Sequence, residues 1–126
     1  MFVENFRALE VYKQSRILSN QIFLITRGFP KEEMYSLTDQ IRRSSRSVGA
    51  QIAEAWGKRR YEKHFISKLT DADGEQMETQ HWIEVSLDSK YISKDEATQL
   101  LEQCTSIGKM IGSMIAKSSK FCKPSN

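Results

Sequence analysis

Apolar residues recur along this chain at intervals of three and four with polar residues between them, the period of helices that bury one face. Val11, Leu18, Ile22 and Ile25 set the first stripe and predict a helix over about residues 8–27. Leu9, Tyr12 and Phe23 form a second stripe beside it, so this helix is apolar over more surface than one bundle core requires. Gly28 is placed to take the left-handed conformation that ends a helix, and Pro30 blocks its continuation. A second helix is predicted over about 33–57, with Glu32 and Glu33 near the positive end of its dipole. One of its faces carries Leu37, Ile41, Ser44, Val48, Ile52 and Ala55. Another, about 100° round, carries Arg42, Ser45, Gly49, Ala53 and Trp56, whose small members let a second backbone approach closely.

The third helix, over about 61–89, presents Phe65, Leu69, Ala72, Ile83 and Leu87, with Gln76 and Thr79 interrupting the stripe. Ser93 and Glu96 have the S-x-x-E spacing of a capping box and open a fourth helix over about 94–118. Its seam is Ala97, Leu100, Cys104, Ile107, Ile111 and Met114, and Gly108 and Gly112 suggest a close crossing. From Lys117 onward the period is lost and the tail, Lys123 included, is expected to fray. Short connections return each helix beside its predecessor, so the predicted fold is all-α, an antiparallel up-down-up-down four-helix bundle forming one domain over 1–126.

Composition agrees. Pro and Gly are scarce, at 2 and 6 residues, which favours long helices over a turn-rich β fold. No run approaches the roughly 20 apolar residues of a membrane span, and the N-terminus from Met1 lacks a basic segment followed by an apolar one. A cytoplasmic protein without membrane contact is expected. Cys104 and Cys122 lie too far apart along one helix to bridge and are expected as reduced thiols.

The net charge of +3 is mild, but the charges are segregated. Between Arg42 and Lys68 stand Arg42, Arg43, Arg46, Lys58, Arg59, Arg60, Lys63 and Lys68, opposed only by Glu54 and Glu62. Asp71, Asp73, Glu75, Glu78, Glu84 and Asp88 follow with no Lys or Arg among them. The antiparallel topology places Arg42 and Arg43 level with Glu75 and Glu78, which predicts structural ion pairs or subunit contacts involving Arg42, Arg43, Glu54, Glu75 and Glu78. Lys58, Arg59, Arg60 and Lys63 then remain at one pole, joined by Arg7, Lys117, Lys120 and Lys123. Clustered cations of this kind neutralise phosphates and release counterions, giving sequence-tolerant, salt-dependent binding of nucleic acid. The plainer alternative is a solvated helix end that complements a dipole.

Other chemistry is poorly supported. Glu78 and His81 have the Glu-x-x-His spacing of di-metal bundles, but those need two copies of the motif and two further Glu. His64 and His81 have no nucleophile that the sequence pairs with them, and no Gly-rich phosphate loop is present. No metal, cofactor or catalytic residue is expected. Trp56 and Trp82 at helical spacing read as packing residues. Tyr12, Phe23, Gly49, Ala53 and Trp56 are expected to serve close packing or a subunit interface, because the spare stripe of the first helix and the small face of the second exceed one core.

Several blocks together resemble a known family: Phe6 to Tyr12, the F-P-x-x-E-x-Y-x-L block of Phe29 to Leu37, Q-I-R-R-S-x-x-S-V from Gln40 to Val48, Ile52-Ala53-Glu54, and Trp82 to Val85. They are similar to the 23S rRNA intervening-sequence proteins over about 6–114. The chain departs from that pattern at Gln51, Ala55 and Glu75. The resemblance implies a four-helix bundle assembling as a ring-like homopentamer, with some members encoded inside insertions of large-subunit ribosomal RNA genes. It also implies kinship with the accessory variability determinant of diversity-generating retroelements, a basic pentamer that binds nucleic acid and a reverse transcriptase. The expectation is a non-enzymatic homo-oligomer that binds RNA or DNA through Lys58, Arg59, Arg60, Lys63, Lys117 and Lys120. The alternative is a scaffold that recruits a protein partner such as a polymerase.

Overall fold

The computed structural model describes residues 4–122; Lys123 and the first residues of the N-terminus lie outside them. A 3₁₀ turn at Phe6–Ala8 leads into α1 (Glu10–Thr26), and a second at Lys31–Glu33 precedes α2 (Leu37–Gly57). Then come α3 (Glu62–Asp88), α4 (Lys94–Ala116) and a short α5 (Ser118–Phe121). α1 packs on α2 and α4, and α3 on the same two, so the long helices form a square in which α1 and α3 are diagonal. This is the antiparallel up-down-up-down bundle that the hydrophobic period predicts.

The core holds the predicted stripes. Leu18, Ile22, Ile41, Val48, Ile52, Phe65, Leu69, Ile83, Ile107 and Ile111 are all sealed from solvent. Gln76 and Thr79, which break the α3 stripe in sequence, are buried in it rather than turned outward. The Thr79 hydroxyl donates to the Glu75 carbonyl at 2.8 Å and lies 2.9 Å from the Ser44 hydroxyl of α2. The Gln76 amide donates to Asp73 at 2.9 Å, and its carbonyl accepts from Gln80 at 2.7 Å. Each polar group finds a partner, which is the condition for burying it without a large penalty.

The ends of the helices depart from the sequence-based expectation. Gly28 does not adopt a positive φ. α1 instead tightens into i to i+3 hydrogen bonds, Gly28 N–H to Ile25 C=O at 3.2 Å and Phe29 N–H to Thr26 C=O at 3.1 Å. The left-handed residue is Lys90, at φ 65°, behind α3. There Tyr91 N–H bonds Ser86 C=O and Lys90 N–H bonds Leu87 C=O, the paired bonds of a Schellman cap. α2 begins later than about 33 because Met34, Tyr35 and Ser36 turn first, and Ser36 donates to the Glu33 carboxylate at 2.6 Å. That hydroxyl, then the Tyr91 hydroxyl, holds the Glu33 carboxyl below its usual range. The capping box at Ser93 and Glu96 forms in both directions, at 2.9 and 3.1 Å. Over the described residues the tail does not fray: α5 folds back on α3, where Phe121 stacks on Phe65 at 5.9 Å and the Ser118 hydroxyl donates to Glu62.

Candidate nucleic-acid interface

One pole of the bundle gathers the end of α2, the start of α3, the end of α4 and α5. α2 ends at Gly57, and Lys58 occupies its C-cap, where a cation complements the negative end of the dipole. Arg59 is turned back on its own helix. Its guanidinium stands 3.6 Å from the centre of the Trp56 ring, and Nε donates to the Trp56 carbonyl at 2.8 Å. Arg59 is thereby held by a cation–π contact and a hydrogen bond. Arg60 lies 5.9 Å from the ring of Tyr61, which is exposed and sits 5.4 Å from His64.

Lys58, Arg60, Lys63, Lys117 and Lys120 are exposed, and Arg59 is half-buried. Among the described residues none of the six forms an ion pair; the bridges found are Arg43 to Asp39 and Lys68 to Glu54 and Asp71. Glu62 is the acid in their midst, and it is occupied by Ser118. Cys122 closes the pole: burial first, then Glu62, raises its thiol pKa, with Arg59 opposing. Cys104, deep in the core, is pushed up to about 12 by burial. Both thiols are free.

Within the protomer Arg42 and Arg43 make no ion pair with Glu75 or Glu78 among the described residues, and their direct contacts lie elsewhere in the chain. Arg42 donates from Nε to the Thr26 hydroxyl of α1 at 2.8 Å and stands 4.8 Å over the Phe23 ring, with Arg46 at 5.3 Å from the same ring. Arg43 reaches Asp39 at 3.9 Å along its own helix, both largely exposed, a pair worth little. Glu54 meets Lys68 at 3.6 Å. Glu78 accepts from the Trp82 indole at 3.0 Å, and His81 packs edge-on against the same ring. No group of three or more His, Cys, Asp and Glu able to hold a metal ion occurs among the described residues. Glu75 is crowded: desolvation, then Glu78 and Asp71, raise its carboxyl pKa, against weaker help from Arg43 and Ser47.

The small face of α2 turns to α1. A Cβ on Gly49 would come within 3.0 Å of the Ser15 hydroxyl oxygen, so glycine there lets the two helices close. Tyr12 packs edge-on to Phe6 at 4.9 Å. Farther out, Tyr12, Ser15, Arg16, Arg46, Gly49 and Ala53 line an open groove of about 410 Å³ between α1 and α2. Gly112, by contrast, would have nothing within 4 Å of an added Cβ and marks no close crossing, whereas Gly108 makes room for Gln76 and Asp73. Sequence reasoning misses three features of the pole: the Trp56 and Arg59 stack, the exposed Tyr61, and the α5 clasp. The first has a signal in the i, i+3 spacing of an aromatic and an arginine.

No helix among the described residues is long and apolar enough to cross a membrane. No curated protein matches the chain. A crystal structure of a protein of unknown function from the S23 ribosomal protein family of Bacteroides thetaiotaomicron is similar, at 29% sequence identity and a TM-score of 0.75, covering 84% of this chain and 95% of that one. The family model described as 23S rRNA-intervening sequence protein matches residues 7–113, nearly the whole bundle, and the chain belongs to that family.

Proposed function

We propose that the chain is a non-enzymatic, homo-oligomeric bundle of the cytoplasm that binds nucleic acid, RNA or DNA, through the basic pole of Lys58, Arg59, Arg60, Lys63, Lys117 and Lys120. The observation that carries this reading is that none of the six cations is spent on an ion pair among the described residues, while the acids of α3 other than Glu62, which is engaged by Ser118, lie elsewhere on the molecule. Tyr61 and the Trp56-held Arg59 add the aromatic and planar groups on which bases stack. One pole alone would bind weakly; repetition in a homopentamer, as the family resemblance implies, multiplies it. Free thiols at Cys104 and Cys122 suit a reducing compartment.

Titration of labelled RNA and duplex DNA tests the reading. Binding should weaken steeply with salt, and replacing Lys58, Arg59 and Arg60 by Glu should lower affinity at least ~10-fold at low salt while leaving the helical circular dichroism intact. Absence of binding, or binding indifferent to the triple reversal, sinks it. A protein scaffold without direct nucleic-acid contact, recruiting for example a polymerase, is favoured by Ile17 and Leu24, exposed large apolar residues seven apart on α1. Recovery of a stoichiometric protein partner in nuclease-treated extract, together with no RNA binding, would select it.

A further inference from the structure

Charge divides the bundle lengthwise as well as at its pole. Lys13, Arg16, Arg43 and Arg46 are exposed on α1 and α2, while Asp71, Glu78, Glu84 and Asp88 are exposed on α3. The groove between α1 and α2 has a floor of Gly49 and Ala53 and a rim that includes Arg16 and Arg46. On α3, Gly74 is exposed between buried Ala72 and Gln76, on the side turned away from the core. A Cβ there would meet nothing within 4 Å, so nothing inside the protomer requires glycine, among the poorest helix formers, at this position. Met77, one turn on, is 57% exposed.

The heights of these two surfaces agree. Thr79 of α3 lies beside Ser44 of α2, and Lys68 beside Gln51 and Glu54, which brings Gly74 level with the middle of α2, near Ser47 and Val48. The groove runs along α2 from Arg46 to Ala53, with Ser15 of α1 opposite Gly49. Identical copies in a closed ring are related by rotation without rise, so surfaces that meet across a ring must lie at one height along the bundle axis. Because α3 is diagonal to α1, the groove and the outer face of α3 do not point in opposite directions, and a head-to-tail contact between them curves toward closure.

We propose that the acidic outer face of α3, centred on Gly74 and Met77, docks into the Arg16 and Arg46 groove between α1 and α2 of a second copy of this chain, with bundle axes parallel. This rests on the oligomer proposed above and names its contact. The crowded carboxylates around Glu75 then gain cationic neighbours beyond the Arg43 and Lys68 of their own chain. Parallel axes also bring every basic pole to one end of the ring, so the phosphate-binding surface becomes continuous only in the assembly.

Light-scattering mass tests the contact. Wild type should weigh a multiple of 14.6 kDa. Gly74→Leu, Glu78→Arg and Arg46→Glu should each weaken assembly at least ~10-fold, and Glu78→Arg combined with Arg46→Glu should restore it. Gly74→Leu has open space inside the protomer, so its circular dichroism should match wild type and separate lost assembly from lost folding. A monomeric wild type, an oligomer unchanged by all three single substitutions, or a double reversal that restores nothing overturns the proposal. The RNA titration reads the pole independently: RNA binding by a chain whose assembly ignores these changes removes the docking mode alone, and a Gly74-sensitive oligomer blind to RNA removes the pole alone.

Discussion

Gly108 and Gly112 stand one turn apart on α4 and look alike in sequence, yet their surroundings differ. A Cβ at Gly108 would come within 2.8 Å of the Gln76 amide nitrogen, which is held by Asp73 while its carbonyl accepts from Gln80. Gly108→Ala should therefore cost about 1–3 kcal/mol, the usual range for overpacking. Gly112→Ala, exposed and unobstructed, should raise stability by up to about 1 kcal/mol. Urea denaturation of the pair reads both, and equal effects would contradict the polar layer. At this scale the sequence was legible where chemistry is local, as at Ser93 and Glu96, and illegible where a neighbouring helix decides. Nothing in the order of residues says that Lys90, not Gly28, takes the left-handed position; the carbonyls of Ser86 and Leu87 do.

Among the elements, the four long helices could be read because each carries its own stripe, and their predicted limits differ from those observed mainly where turns intervene. α5 could not be read, since four residues hold no period. It exists because Phe121 finds Phe65 and Ser118 finds Glu62 across the pole. Phe121→Ala should cost about 1–2 kcal/mol for a half-buried ring, and amide exchange should quicken at Ser118–Phe121 while the middle of α3 stays protected. Unchanged exchange at those amides would show that the clasp contributes nothing. The spare stripe of α1 was legible as excess, but its partner was not: Phe23 is covered within the protomer by Arg42 and Arg46.

Across the whole molecule, segregation of charge was visible in the sequence as runs, and the fold turns the runs into a basic pole, a basic flank and an acidic flank. The acidic flank should be felt in stability. Glu75 titrates above the usual carboxylate range, so folding favours its protonated form; that stabilisation is present at low pH and lost as pH rises through the shifted value. Glu75→Gln should accordingly raise the unfolding midpoint of the dilute protomer at about pH 7 and match wild type near pH 3, where both side chains are neutral. A constant difference across that range would assign the effect to packing instead.

The square arrangement of helices has a kinetic side. Three of its four seams join helices adjacent in the chain, and one, between α1 and α4, joins helices far apart in it. Hairpin seams close short loops at small entropic cost, so the chain should fold within the microsecond to millisecond range of local-contact helical proteins. The α1 and α4 seam requires the other three seams to be in place before it can be satisfied. Substitutions along it should accelerate unfolding and leave the folding rate nearly untouched, making that seam the last to form and the first to open.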